Sequence, residues 1–287
     1  MNKLSVVLAT RNEKENIKRC LKSVDGLAHE IVVVDESSED NTRDIARKLG
    51  AKVFKVKHEE IFHKTKQKAL DLAKGDWILQ LDADEVVSEE LAKEIKNIVK
   101  LTDEEIANRN MNSKKKRLFD RHQHLLENRD GKVGKDSGEV AAFFLPRKNY
   151  FLGKPLMHGG AYPDGVIRLV KKGKARFPSK SVHEQIEIDG QVSWLENDLE
   201  HHDSPTLARY ITRLNRYTDL HAKELESSKL QKGKLMLFYF TFVKPTLVFL
   251  KLYFRHKGFL DGMRGFLWSF FSASHHTIAY YKFWEKP

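Results

Sequence analysis

Two short apolar runs that end in carboxylates constrain the fold of this chain more than any other feature. Residues 31–34 are Ile-Val-Val-Val and lead into Asp35, and residues 77–81 lead into Asp82-Ala83-Asp84. Runs of this length are too short for helices and are typical of buried strands. Because ligands of open α/β sheets bind beyond the carboxyl ends of the strands, we expect these acids to meet a polar ligand.

The first 100 residues alternate between strand-like and helix-like segments. Gly50 and Gly75 follow two of the helical patterns, and Ser88 with two glutamates after it is a typical N-terminal cap. The alternation predicts an α/β fold with a parallel, doubly wound sheet. Strands are predicted at residues 4–10, 31–35, 52–56 and from 77 onward, and helices at 13–24, 40–49, 66–74 and 88–99.

The Asp82-Ala83-Asp84 motif has the chemistry of a site for a metal and a diphosphate. Two carboxylates one residue apart at a strand end can share a hard divalent cation, which fills its remaining positions with water and phosphate oxygens. The structural alternative is that both aspartates begin a turn, where Asp is common. Residues 9–13 lack the glycine fingerprint of dinucleotide-binding folds, and no Gly-Lys-Ser/Thr loop occurs, so hydride transfer and P-loop phosphotransfer are not expected.

Three segments, residues 4–17, 30–42 and 74–85, resemble in order and spacing the family 2 inverting glycosyltransferases with the GT-A fold. The resemblance implies a Rossmann-like, mostly parallel sheet with flanking helices. It implies transfer of a hexose from a nucleotide-diphosphate sugar, with UDP the expected nucleotide, to a hydroxyl of a lipid-linked or envelope glycan with inversion at the anomeric carbon. Further segments resemble the bacterial glucosyltransferase subgroup that acts on lipopolysaccharide core or related surface glycans: residues 149–154, 167–169, 182–184 and 258–262.

The resemblance assigns the nucleotide to residues after the first two strands. Thr10 and Asp35 match the positions that hold uracil and ribose, and Glu13 and Lys66 are further candidates for nucleotide contact. An ionised carboxylate is an acceptor only, so Asp35 can accept the imide N–H of uracil, which cytosine lacks. The alternative for Asp35 is a turn residue.

The metal assignment also follows the family pattern. Asp84 is implied to bind Mn²⁺ or Mg²⁺ directly, and Asp82 to face the ribose or a metal-bound water. Oxygen ligands suit both ions, so the sequence does not choose between them. His183 is a candidate to join the metal or the diphosphate, and His201 and His202 are alternatives.

An inverting transfer needs a base that takes the proton from the attacking hydroxyl. The Val182-His183-Glu184 motif of the resembled subgroup suggests Glu184, and Asp164 is the second candidate. A carboxylate can do this when its surroundings match its pKa to the step.

The pattern along the chain and the resemblance together imply four parts. The 287 residues divide into a nucleotide-sugar-binding half at 1–100, a charged insertion at 101–139 that is either helical or a loop, an acceptor-side half at 140–204, and a helical, basic and aromatic region at 205–287. Between 140 and 194 the pattern predicts short strands with glycine turns. The single cysteine, Cys20, excludes an intrachain disulfide and favours a reducing compartment.

The last 59 residues carry most of the net charge of +11. They contain eight Lys and two Arg against Asp261 and Glu285, together with many aromatic side chains. This composition is typical of a surface that lies on an anionic membrane. Residues 235–254 have the length of a spanning helix, but Lys244-Pro245 in the middle favours a helix in the interface, which Pro245 should break or kink. A hairpin packed on its own enzyme, or on a second subunit, is the alternative.

No secretory signal is evident, so we expect a cytoplasmic enzyme, peripheral on the inner face of the cytoplasmic membrane, with a homo-oligomer possible and no nucleic-acid partner. Two other functions stay open at this point. A sugar nucleotidyltransferase would also use a parallel sheet and a metal, but residues 9–13 lack the glycine-rich loop it needs. A basic module that binds membrane or nucleic acid without catalysis is compatible with the charge.

Overall fold

The computed structural model describes residues 2–178, 186–228 and 230–286. The chain forms two compact units. The first contains Met1–Arg147 and Asp164–His201, and the second contains Lys148–Pro163 and His202–Pro287.

The strands are mostly short. The exception is β6, whose 12 residues form one long strand where the sequence pattern predicted only short ones. Strands β1 to β12 are, in chain order, Leu4–Thr10, Glu30–Asp35, Lys52–Lys55, Trp77–Leu81, Glu85–Val87, Val140–Phe151, Lys154–Pro155, Asp164–Lys171, Ala175–Arg176, Glu187–Ile188, Gln191–Trp194 and Leu199–Ser204.

Ten helices accompany these strands within the described ranges. The charged insertion is helical, because α5 and α6 occupy much of it. Helices α1 to α10 are, in chain order, Ile17–Ser23, Thr42–Lys48, Phe62–Leu72, Glu89–Ile98, Asp103–Ala107, Ser113–Asp130, Leu207–Ser227, Lys234–Phe238, Lys244–Leu250 and Gly262–Glu285.

The main sheet has the order β3-β2-β1-β4-β8-β6-β12-β5, with β7 and β11 also paired to β6. The predicted parallel arrangement is confirmed for β3, β2, β1 and β4. The strands that follow extend the sheet in mixed directions, since β8 pairs antiparallel with both β4 and β6. The carboxyl ends of β1, β2 and β4 therefore lie at one edge.

Two apolar layers cover the two faces of this sheet. Leu4, Val6 and Leu8 of β1 point to the layer that contains α1, α2 and α4, whereas Val7 points to the layer that contains α3 and α6. Alternation of this kind buries both faces of the parallel strands. The sheet is thus doubly wound, and its strand ends are held by a rigid core.

Three helix starts differ from the predicted positions, and the fourth agrees. Helix α2 begins at Thr42 rather than residue 40, and α3 begins at Phe62 rather than residue 66. Helix α1 begins at Ile17 rather than Glu13, because the N–H of Glu13 binds the Thr42 hydroxyl at 2.8 Å and that of Lys14 binds Asp40 at 3.1 Å. These bonds hold the segment as a turn. Ser88 caps α4 as predicted, accepting a bond from the N–H of Leu91 at 3.2 Å.

The second unit is built around α7 and α10. Between them runs a helical segment, Lys234–Arg255, in which π-helical turns at Tyr239–Val243 and Lys251–Arg255 follow α8 and α9. The helical segment continues through Pro245, so the predicted break is absent. The π-helical turn Tyr239–Val243 lies directly before Lys244-Pro245, where the proline lacks a backbone N–H donor. Among the described residues, Lys234–Arg255 alone is long and apolar enough to cross a membrane, and 6 % of its most apolar window is buried.

Candidate active site

The predicted donor residues lie at the carboxyl ends of β1, β2 and β4 in the first unit. Thr10 is paired in register with Asp35, and Leu8 is paired with Leu81, the residue before Asp82. The parallel register therefore brings the ends of three strands to one side of the sheet, the side on which open α/β sheets bind ligands.

Asp35 is fully enclosed and heavily hydrogen-bonded. Its carboxylate accepts bonds from the Thr10 hydroxyl at 3.1 Å, the N–H and hydroxyl of Ser38 at 2.8 and 2.5 Å, and Nη1 of Arg43 at 3.0 Å. A carboxylate has about four acceptor sites, and all are used here. A uracil N–H can reach Asp35 only if one of the two hydroxyls turns away.

Glu13 and Lys66 occupy different surroundings. Glu13 accepts a bond from the Asn16 side chain at 2.8 Å, just before α1. Lys66 on α3 is buried, and its ammonium group lies 2.7 Å from Oδ1 of Asp82. The structure thus joins Lys66 directly to the Asp-Ala-Asp motif, whereas Glu13 supports the turn that leads into α1.

Asp82 is neutralised by two cations. Nη2 of Arg168 lies 2.5 Å from Oδ2 of Asp82, and Lys66 contacts the other oxygen. Burial by itself raises the pKa of Asp82, but Arg168 and then Lys66 outweigh it and hold that pKa far below its usual range. Asp82 therefore stays ionised, with its charge already compensated.

Glu85 and three neighbours form an ion network that the sequence analysis did not assign. Glu85 is completely buried and accepts bonds from Nε and Nη2 of Arg168 at 2.9 and 2.8 Å. Arg147 lies 3.4 Å from Glu85 and binds Asp164 through Nε and Nη2 at 2.9 and 2.6 Å. Asp164 lies opposite Arg147 in the β6–β8 register. The sequence analysis named Asp164 as a candidate base and placed Arg168 in the segment 167–169 of the resembled subgroup, but it predicted none of these contacts.

Asp84 has a different partner from Asp82. Its Oδ2 lies 3.5 Å from Nε2 of His201. Strand β12 places His201 there, because β12 pairs with β5 and His201 lies opposite Glu85. Burial raises the pKa of Asp84, but the bond and charge of His201 outweigh it and lower that pKa overall. Both side chains are mostly buried: that of Asp84 is 19 % exposed and that of His201 is 11 % exposed.

These two groups fit a divalent cation. Cis ligands of an octahedral ion with bonds of about 2.1 Å lie about 3 Å apart, close to the distance between the two atoms. Mg²⁺ and Mn²⁺ need few protein ligands when phosphates and waters complete the shell. No group of three or more metal-ligating side chains occurs in the described part of the chain.

The remaining predicted residues are His183, Glu184 and His202. His183 and Glu184 lie outside the described residues. His202 belongs to the second unit, where its ring stacks on Tyr150 at 4.1 Å between centroids. Of the three histidines considered as metal ligands, the structure brings His201 to Asp84.

Comparison with known proteins identifies the family to which this chain belongs. The model of the glycosyl transferase family 2 matches residues 5–160. A lipopolysaccharide core biosynthesis glycosyltransferase, LpsC of Rhizobium meliloti, is 25 % identical over 94 % of this chain and 90 % of its own length. An uncharacterized glycosyltransferase of Rickettsia felis is 28 % identical over 93 % of this chain and 84 % of its own length.

Among solved structures, glucosyl-3-phosphoglycerate synthase of Mycobacterium tuberculosis is 26 % identical over 30 % of this chain and 34 % of that chain, with a TM-score of 0.28. The family match covers more than half of the chain, and it includes β1 to β5 with both carboxylate-bearing strand ends. The predicted GT-A fold is confirmed, and the chain belongs to glycosyl transferase family 2.

Proposed function

We propose that this glycosyltransferase moves a hexose from UDP to a hydroxyl of a lipid-linked or envelope glycan, with inversion and with the help of Mn²⁺ or Mg²⁺. The observation that carries the proposal is the Asp84–His201 pair, 3.5 Å apart, beside an Asp82 whose charge Lys66 and Arg168 already compensate. The acceptor class follows the similarity to LpsC, and it implies work at the inner face of the cytoplasmic membrane.

Asp84 and His201 would hold the cation. A divalent ion there would neutralise the charge that develops on the departing diphosphate. Asp82, fixed by its two cations, would face the ribose or a water of the metal, and Lys66 would support the diphosphate. Thr10 and Asp35 would receive the uracil and ribose, with Glu13 supporting the loop beside them.

The transfer needs a proton acceptor on the opposite side of the sugar. The acceptor oxygen attacks the anomeric carbon, the bond from that carbon to the diphosphate oxygen breaks, and UDP leaves with the electron pair. Glu184 is the first candidate to take the hydroxyl proton. Asp164 is the second, and its two bonds to Arg147 favour a structural role for it.

A thermal-shift panel tests the donor assignment. A ligand that binds only the native state raises the melting temperature. We expect UDP with Mn²⁺ to raise it, and GDP, CDP, ADP and TDP to have little effect. The shift should be lost in Asp84→Asn and kept in Asp71→Asn, a matched change of an exposed aspartate on α3. No shift with any nucleotide, from folded protein, would overturn the donor assignment.

Two further measurements test the chemistry. Glu184→Gln should reduce turnover strongly while leaving the UDP shift intact, whereas Asp164→Asn should lower the melting temperature without UDP. NMR of the first product formed should show an anomeric configuration opposite to that of the donor. A retained configuration would contradict the inverting mechanism.

A further inference from the structure

The helical segment Lys234–Arg255 of the second unit carries apolar side chains on both its packed and its exposed side. On its inner side, the ring of Phe240 stacks on Tyr280 at 4.6 Å between centroids, and Phe249 meets Phe266 at 5.8 Å. On its outer side, apolar side chains recur every three to five residues and are widely exposed: Leu235, Phe238, Phe242, Leu247, Leu250 and Phe254. A helix that is apolar all round normally lies in a protein core or in lipid.

The turn that follows extends this exposed surface. Phe259, Leu260 and Met263 are 46 %, 55 % and 71 % exposed. Their backbone is held firmly, because Asp261 accepts bonds from the N–H groups of Met157 at 3.0 Å and His158 at 2.8 Å. Apolar side chains are therefore presented outward from a fixed turn.

A close approach between Gly258 and the first turn of α10 fixes the same turn. A Cβ at Gly265 would lie 1.8 Å from the carbonyl oxygen of Gly258, so only glycine allows this approach. The exposed side chains are thus not the result of a loosely packed end. Their exposure is built into the hairpin between Lys234–Arg255 and α10.

Positive charge surrounds these apolar side chains. Residues 230–260 contain five Lys and one Arg and no Asp or Glu. Lys251, Arg255 and Lys257 are exposed in the same stretch as Phe254 and the turn. In a two-fold dimer both copies would contribute this same surface, so its cations would face the cations of the second copy. Anionic headgroups complement the charge.

Two features favour a helix that lies along a membrane rather than across it. Lys244 sits at the middle of the segment, with its ammonium group 4.8 Å from the centre of the Phe240 ring. A charge at that depth of a spanning helix is strongly unfavourable. Exposed Tyr239, Tyr281 and Trp284 are of the residue types enriched at membrane–water interfaces.

We propose that the outer side of Lys234–Arg255, together with residues 259, 260 and 263, is a docking surface for an anionic phospholipid bilayer. We name it the lipid-docking surface. The segment lies in the interface, its apolar side chains enter the acyl region, and the flanking cations contact the headgroups. This inference does not depend on the transfer reaction.

The test uses the full chain and flotation with phosphatidylcholine vesicles, with or without phosphatidylglycerol. We expect binding to the mixed vesicles and little to phosphatidylcholine alone. The variant Leu250→Ser/Phe254→Ser/Met263→Ser should weaken binding more than about tenfold, because three exposed apolar side chains no longer enter lipid. Leu118→Ser/Leu125→Ser, on exposed positions of α6 in the first unit, is the matched control and should bind as the unchanged chain does.

Charge and depth are tested separately. Lys251→Gln and Lys257→Gln should each weaken binding to the mixed vesicles about fivefold. Phe254→Trp should show a blue-shifted emission with those vesicles and quenching by lipids brominated near the headgroup end of the chains. Circular dichroism and the UDP shift confirm that each variant is folded.

Several results would overturn the proposal. Equal binding of the triple serine variant and the unchanged chain would show that these side chains do not enter lipid. Resistance of the bound chain to extraction by alkaline carbonate would show that the segment crosses the bilayer. A dimer that forms without lipid and is lost in the triple variant would show that a second copy covers this surface.

Discussion

Replacing Arg168 by Met should destabilise the first unit severely. Arg168 is buried, and its guanidinium binds Glu85, Asp82 and Gln80, the last at 2.9 Å. Breaking a buried ion pair by removing one partner costs about 3–5 kcal/mol, because an uncompensated charge stays behind. Lys66 still contacts Asp82 and Arg147 still lies near Glu85, so we expect the lower end of that range, about 3 kcal/mol.

The pH dependence of this loss has a definite sign. In the unchanged chain the pKa of Asp82 is depressed despite burial, chiefly by Arg168. Its contribution to stability is therefore present above the pKa of an unfolded aspartate and is lost as the pH falls through the folded pKa. Without Arg168, protonation of Asp82 relieves part of the uncompensated charge. The difference between Arg168→Met and the unchanged chain should narrow as the pH falls from neutral toward about 4.

Urea unfolding followed by circular dichroism measures both effects. Arg47→Met is the matched control, because Arg47 pairs with Asp44 at 3.0 Å on the surface, where both are more than half exposed. Such surface pairs contribute about 0–1 kcal/mol. The reasoning is refuted if Arg168→Met and Arg47→Met lower the free energy of unfolding equally at neutral pH.

Three smaller changes test other parts of the fold. Ser88→Ala removes the N-cap of α4 and should lower the free energy of unfolding by about 1 kcal/mol in urea titrations. Gly165→Ala places a Cβ 2.3 Å from the Trp194 ring and should lower the free energy of unfolding by about 1–3 kcal/mol. Gly233→Ala, which has open space around it, should change that free energy little. Equal effects of the two changes would contradict this packing. Burial raises the pKa of the Cys20 thiol well above its usual value, so Cys20 should react with a disulfide reagent only after denaturation, and rapid labelling of folded protein would count against the described core.

The parallel part of the fold could be predicted because its signals are local. The apolar runs that became β1, β2 and β4 and the serine cap of α4 each lie within a few residues of sequence. The predicted start of α1 was wrong by four residues. The turn before α1 is held by hydrogen bonds that its backbone N–H groups donate to the distant Asp40 and Thr42 side chains. A local sequence pattern does not reveal hydrogen bonds to residues far along the chain.

The site was predictable only in the part that lies on the parallel strands. Asp82 and Asp84 follow β4 directly, but Arg168 reaches Asp82 from β8, and His201 reaches Asp84 through the pairing of β12 with β5. Strand register over such separations depends on the whole sheet, so composition and spacing could name His201 among the candidates but could not select it.

Binding of Mn²⁺ tests the central claim most directly. Electron paramagnetic resonance measures free Mn²⁺, which disappears from the signal when the ion is bound. We expect the chain to bind one Mn²⁺ tightly in the presence of UDP, and Asp84→Asn and His201→Gln each to lose that binding while Asp71→Asn retains it. If Asp84→Asn and His201→Gln bind Mn²⁺ with UDP as well as the unchanged chain does, the Asp84–His201 pair is not the metal site and the proposed mechanism is wrong.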